Sequence, residues 1–199
     1  MPGEPGGATD ASSPTRSARE RLCRLLGERS FQTGDYVLSS GARSDYYIDC
    51  RTTTMHAEGQ VLIGRVGFET IRGEGLEPDA IGGLTMGADP VAYAIAGESW
   101  RQGRPIHAFS VRKRPKRHGR GQRIEGCFEA GARVLIVEDV ITTGGSALQA
   151  TEAVQSADGQ VLGVLALIDR EEGGRATIEE AGLRVLTLYS ADDLRRCAG

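Results

Sequence analysis

The chain has 199 residues, 39% of them hydrophobic, and a formal net charge of −3. That length suits one domain burying roughly 70% of its unfolded surface, so a core needs neither a disulfide nor a metal. No apolar run approaches the ~20 residues of a membrane span, the first residues lack the basic head and apolar stretch of a secretory signal, and the acidic balance argues against a general nucleic-acid binder.

Residues 1–14, rich in Gly, Pro and Ser, read as a disordered tail, and 15–199 as a single domain. From Thr15 to Arg29, Leu22, Leu25 and Leu26 share one face of a predicted helix. Short strands are expected over Phe31–Leu38 and Asp45–Arg51, around a Ser-Ser-Gly turn at Ser39–Gly41. Val61–Ile71 reads as a helix with apolar residues at Val61, Leu62, Val66 and Ile71, and His56-Ala57-Glu58 as its start. From there strand and helix alternate: strand Asp79–Leu84, helix Val91–Trp100, strand Ile106–Val111, strand Arg133–Val137, helix Ser146–Gln155, strand Val161–Ile168, helix Thr177–Ala181, strand Val185–Tyr189. The pattern predicts an α/β fold, a parallel sheet flanked by helices on both faces. Ligands of such sheets bind beyond the carboxyl ends of the strands.

The four cysteines stand at 23, 50, 127 and 197, with no CxxC pair. Such scatter predicts reduced thiols in a cytoplasmic protein.

One stretch interrupts the alternation. Arg112–Arg123 reads RKRPKRHGRGQR, with seven basic residues and no acid; the remaining 17 basic residues face 27 acids. Both lysines of the chain, Lys113 and Lys116, lie in it, against 22 arginines overall. A concentrated positive segment on an acidic protein expects a polyanion: phosphates, nucleic acid or an acidic partner. It lacks the interleaved aromatics of a nucleic-acid platform, and its length favours a functional lid.

The sharpest motif is VLIVEDVITTGGS, Val134–Ser146. An apolar strand runs into Glu138 and Asp139, and small polar residues then open a helix. Free N–H groups, hydroxyls and the positive dipole end at a helix N-terminus hold a phosphate. Carboxylates repel a phosphate and accept hydrogen bonds, so Glu138 and Asp139 suit sugar hydroxyls, or action through a magnesium ion or water. Together these parts fit a ribose 5-phosphate. Neither GxxxxGK[ST] nor GxGxxG occurs, which lowers the expectation of ATPase or dinucleotide chemistry.

VLIVEDVITTGGS resembles the 5-phosphoribosyl 1-diphosphate (PRPP) signature of type I phosphoribosyltransferases. SSGARSDYYIDCR (Ser39–Arg51), VRKRPKRHGRGQRIEG (Val111–Gly126) and IDR (Ile168–Arg170) resemble, in order, the substrate segment, the mobile RK-x-x-K-x-H-G loop and the base-binding strand end of the orotate phosphoribosyltransferase family. The resemblance implies a Rossmann-like sheet with a small N-terminal hood over 15–55 and a mobile catalytic loop over 112–126. It implies that Glu138 and Asp139 hold the ribose hydroxyls, that the backbone of Thr142, Thr143, Gly144, Gly145 and Ser146 holds the 5-phosphate, and that Val140 and Ile141 belong to the same PRPP-binding segment. It implies that Thr142 and Arg170 contact orotate, Arg170 at its carboxylate, and that Arg112, Lys113, Lys116 and His118 close over the diphosphate. Lys113, Asp139, Lys116 and His118 are the expected catalytic residues. The cofactor implied is Mg²⁺, held mainly through PRPP rather than by protein ligands. The implied assembly is a homodimer that shares the loop between subunits, without nucleic acid or membrane partners.

The turn GGLTMGADP, Gly82–Pro90, resembles the family's diphosphate loop, with Thr85 and Met86 where some members carry a lysine; Ser39 and Ser40 likewise replace a lysine before the first SG. Two other readings stand beside this one. A PRPP-sensing regulator on the same fold would need a DNA-binding module, for which a 14-residue tail is too short. A phosphoribosyltransferase for a neutral base would have no carboxylate to offer Arg170.

Overall fold

A computed structural model describes residues 14–37, 43–114 and 123–198. The expected tail, the Ser39–Gly41 turn, Lys116 and His118 lie outside the described residues. Pro14, read as the end of the tail, is the first residue of helix α1 (Pro14–Ser30), where its missing N–H costs nothing.

After α1 come β1 (Phe31–Val37) and β2 (Arg43–Ile48), an antiparallel pair in which Phe31 faces Ile48. A short helix α2 (Arg51–Thr54) and α3 (Ala57–Gly73) follow, with His56 preceding α3 as expected. The remaining elements are β3 (Ala80–Leu84), α4 (Ala88–Arg101), β4 (His107–Val111), β5 (Ile124–Gly126), β6 (Arg133–Ile141), α5 (Gly145–Gln155), β7 (Gln160–Asp169), α6 (Gly174–Glu180), β8 (Val185–Ser190) and α7 (Ala191–Ala198). Six strands form one sheet in the order β5-β4-β3-β6-β7-β8, parallel except for β5.

Alternation along the central strands builds two cores. On β6, Leu135 and Val137 face α1, α3 and α4, while Val134 and Ile136 face α5 and α6. On β7, Leu165 and Leu167 take the first side, Val164 and Ala166 the second. Both faces are dry, so the strands read as continuous apolar runs.

On α3, Val61 is exposed, and the buried face is carried by Ile63, Val66, Phe68 and Ile71. Several expectations are corrected. The strand expected to end at Val137 continues through both acids to Ile141, because β7 supplies pairing partners as far as Asp169. Within the expected loop 112–126, Ile124–Gly126 is a strand, paired with the otherwise open edge of β4. The cysteines are not all reduced: Cys23 and Cys197 form a disulfide, Cα atoms 5.9 Å apart, joining α1 to α7 across 174 residues of sequence. Their spacing along the chain hid a neighbourhood that helix packing creates. Cys50 is free and buried, and Cys127 free and exposed.

Candidate active site

The chain leaves β3 through α4 toward β4 on one side, and leaves β6 through α5 toward β7 on the other. The order therefore reverses between β3 and β6, and a crevice opens at their carboxyl ends. A cleft of about 330 Å³ lies there, lined by Tyr47–Arg51, Met86, Gly87, Lys113, Asp139, Val140, Thr142 and Arg170. Four strand ends and the β2 hairpin thus converge on one hollow.

β6 supplies the acids. Glu138 is 6% exposed and its Oε1 has no hydrogen-bond partner among the described residues. Burial, reinforced by the neighbouring Asp139 charge, pushes its carboxyl up to about 8. Burial also raises Asp139; the Val140 N–H, 2.9 Å from its Oδ1, and the positive Arg51 pull the other way. A buried oxygen without a donor is costly unless a ligand supplies one.

Past Ile141 the chain turns through Thr142 and Thr143 to Gly144, which has φ +82° and begins α5. A Cβ there would also lie 2.8 Å from the Gly174 carbonyl oxygen, so only glycine fits. No side chain caps the helix, and its first turn borders a small hollow lined by Glu138 and residues 140–147. The free N–H groups of that turn suit an anion.

The loop after β3 closes the opposite wall. A Cβ on Gly87 would lie 2.6 Å from Asp139 Oδ1, so glycine lets this loop meet the acid. The Thr85–Met86 peptide is cis. Asp89 accepts from the Thr85 hydroxyl at 2.5 Å and the Ser110 hydroxyl at 2.7 Å, and the Thr85 N–H donates to the Val111 carbonyl at 2.8 Å. The loop is thereby fastened to the strand that leads into Arg112 and Lys113.

The basic residues separate at that point. Lys113 borders the cleft. Arg112, expected over the diphosphate, turns away, and its Nε lies 2.8 Å from Glu125 on β5. Successive residues of an extended segment point oppositely, which the sequence alone could not assign to a side.

Arg170 ends β7, with its N–H on the Ile141 carbonyl at 3.0 Å and its side chain 6% exposed. Its Cζ lies 4.8 Å from the centroid of the Tyr46 ring, which stacks on Phe31 at 5.2 Å. Of the two tyrosines, Tyr46 is therefore core and Tyr47 is the exposed one bordering the cleft. Asp49 and Arg51, missed on sequence, also line it and pair at 2.8 Å. Their place in the segment Ser39–Arg51, whose resemblance implied a substrate contact, was the available signal.

Residues 62–181 match the model of the phosphoribosyl transferase domain family. The orotate phosphoribosyltransferase of Aquifex aeolicus is 46% identical over 179 residues, spanning 88% of this chain and 97% of the relative. A crystal structure of Mycobacterium tuberculosis orotate phosphoribosyltransferase with Fe(III) dicitrate superposes with a TM-score of 0.79 at 46% identity, covering 89% of this chain and 98% of that one. The same enzyme crystallised with PRPP gives 0.73 at 39% identity, covering 89% and 92%. The α/β fold expected from the strand–helix alternation is thus the fold of these enzymes, and the chain belongs to the orotate phosphoribosyltransferase family.

Proposed function

We propose that the chain transfers the 5-phosphoribosyl group of PRPP to N1 of orotate, giving orotidine 5′-monophosphate and diphosphate in pyrimidine nucleotide synthesis. The observation that carries the reading is the meeting of Asp139, Lys113 and the buried Arg170 on one cleft, next to a small hollow where the buried Glu138 faces an open helix start. There the ribose hydroxyls meet Glu138 and Asp139, the 5-phosphate meets the backbone of Thr142–Ser146, and the base lies between Thr142 and Arg170. Both carboxyls present oxygens to a diol, and burial raises both, Glu138 to about 8.

The C1–O bond to diphosphate breaks as the C1–N1 bond forms. Positive charge grows on the ribose and negative charge on the leaving group. Lys113 meets the second charge, joined by Arg112, Lys116 and His118 when the loop closes; exclusion of water protects the first from hydrolysis. Orotate arrives as an anion, so no strong base is needed.

Among the described residues no cluster of three His, Cys, Asp or Glu side chains forms a metal cage. A Mg²⁺ held mainly through PRPP oxygens would lie on the Asp139 side of the cleft. When bound, it neutralises charge on the diphosphate.

A homodimer with a shared loop fits the exposed apolar side chains of the paired helices, Val61 on α3 and Tyr93 and Trp100 on α4. Residues 15–55 then serve as a hood over the base. No helix among the described residues is long and apolar enough to cross a membrane. A cytoplasmic site for this chemistry would expose the Cys23–Cys197 bridge to thiol exchange.

The test is loss of orotate absorbance with PRPP and magnesium, beside parallel reactions with adenine, hypoxanthine and uracil. Consumption of orotate alone supports the reading. PRPP binding without consumption of any base would transfer it to a PRPP-sensing regulator.

A further inference from the structure

Arg170 is a buried cation with donors to spare. Among the described residues, neither its Nε nor its Nη2 has a directed hydrogen-bond partner. One carboxylate approaches it: Glu172 Oε1 lies 2.7 Å from Nη2, close enough to neutralise charge but not aligned as a hydrogen bond. The Glu172 side chain is 38% exposed, so it reaches the guanidinium from the solvent side.

The backbone is bent to bring it there. The buried Asp169 carboxylate accepts the Glu171 N–H at 2.8 Å, and Glu171 adopts φ +59°. That left-handed conformation is uncommon for a residue other than glycine and is retained where surrounding structure demands it. It turns the chain straight after β7 and folds Glu172 back over the arginine two residues before it.

We propose that Glu172 is a placeholder carboxylate: it neutralises Arg170 in the empty cleft and must be displaced by the carboxylate of the incoming base. The proposal rests on the reading of Arg170 as the seat of that carboxylate. In the free protein the tethered Glu172 stands at high effective concentration beside the guanidinium, so stray anions compete poorly. A substrate carboxylate takes the two open donors side by side, a geometry Glu172 does not achieve, and the displaced side chain rotates into water. A neutral base has nothing to exchange for it. Specificity for an anionic base is thereby gained at some loss of affinity.

The experiment compares orotate and PRPP KM values, with kcat, for wild type, Glu172→Gln, Glu172→Asp and Arg170→Gln. Removing the competitor should lower the orotate KM about three- to tenfold in Glu172→Gln and leave the PRPP KM in place. Glu172→Asp, one methylene shorter, should lower it by a smaller factor and carries the test if the glutamine variant folds poorly. Arg170→Gln should raise the orotate KM at least about tenfold. An unchanged or raised orotate KM in both Glu172 variants, with Arg170→Gln still impaired, overturns the placeholder and leaves Arg170 as the base contact. An unchanged orotate KM in Arg170→Gln overturns the Arg170 reading itself. A purely structural Glu172 would raise the KM in Glu172→Gln and be rescued by aspartate.

Discussion

Glu138 holds a proton that an unfolded chain would have released. Its carboxyl titrates near 8 in the folded protein because burial and the Asp139 charge disfavour ionisation. Between about 4.5 and 8 the native state therefore binds a proton the unfolded state lacks, and stability falls as pH rises through that window, by at most about 1.4 kcal/mol per pH unit. Thermal melts of the ligand-free protein from pH 5 to 8.5 should show this decline, and Glu138→Gln should flatten it. Lys113 makes the opposite kind of prediction, one about rate. As a cation at the cleft, proposed to meet the leaving diphosphate, its replacement by alanine should reduce turnover about 10²–10³-fold without unfolding the chain. Steady-state kinetics alongside a circular-dichroism melt checks both halves, and near wild-type turnover would remove Lys113 from the chemistry. At this scale much was legible. Glu138, Asp139, Thr142–Ser146 and Arg170 follow apolar strands, where α/β sheets bind ligands, and their chemistry suits separate parts of one substrate pair. Asp49 and Arg51 were not, because their role depends on where a hairpin lies in space.

Elements carry two further predictions. Gly144 starts α5 in a left-handed conformation against the Gly174 carbonyl, so Gly144→Ala strains the backbone and forces a contact apart. The expected cost is about 1–3 kcal/mol together with a raised PRPP KM, read from a urea melt and initial rates. The same substitution at Gly145, whose Cβ would meet only Thr143 Oγ1 at 3.7 Å, should be far milder. The Cys23–Cys197 bridge closes a loop of 174 residues and fixes α7 against α1. Cys197→Ser should lower stability by about 2–4 kcal/mol in non-reducing buffer, and reductant should bring the wild type to the same value. Reductant without effect on the wild-type melt would show the bridge does not stabilise the fold. Most helices and strands were readable from periodicity. The misses were β5, which owes its existence to the free edge of β4, and α2 and α7, too short to show a period. Which apolar residues of α3 face inward was not legible, because the helical period leaves more than one apolar face to choose from, and packing against α1 and α4 selects it.

For the whole molecule, the reversal of strand order between β3 and β6 is the organising event, since it opens the crevice that Lys113, Asp139, Thr142 and Arg170 line. Whether that crevice is completed by a second copy is open to a direct test. If the loop is shared, mixing inactive Lys116→Ala with inactive Arg170→Ala should form hybrid dimers with one intact site, restoring up to about a quarter of wild-type activity. Activity that stays at zero after subunit exchange, verified by native mass spectrometry, would place the whole site within one chain. The order of elements, the two-faced parallel sheet and the phosphate-binding turn were all written in local sequence, because periodicity, glycine placement and apolar strand ends are properties of neighbouring residues. The disulfide, the turning of Arg112 toward Glu125, the meeting of Gly87 with Asp139 and the Glu172–Arg170 contact were decided only by the tertiary structure. Most of these join segments remote in the chain, and the others depend on which way a turn aims its side chains. Neither distance nor direction in space is a function of local spacing.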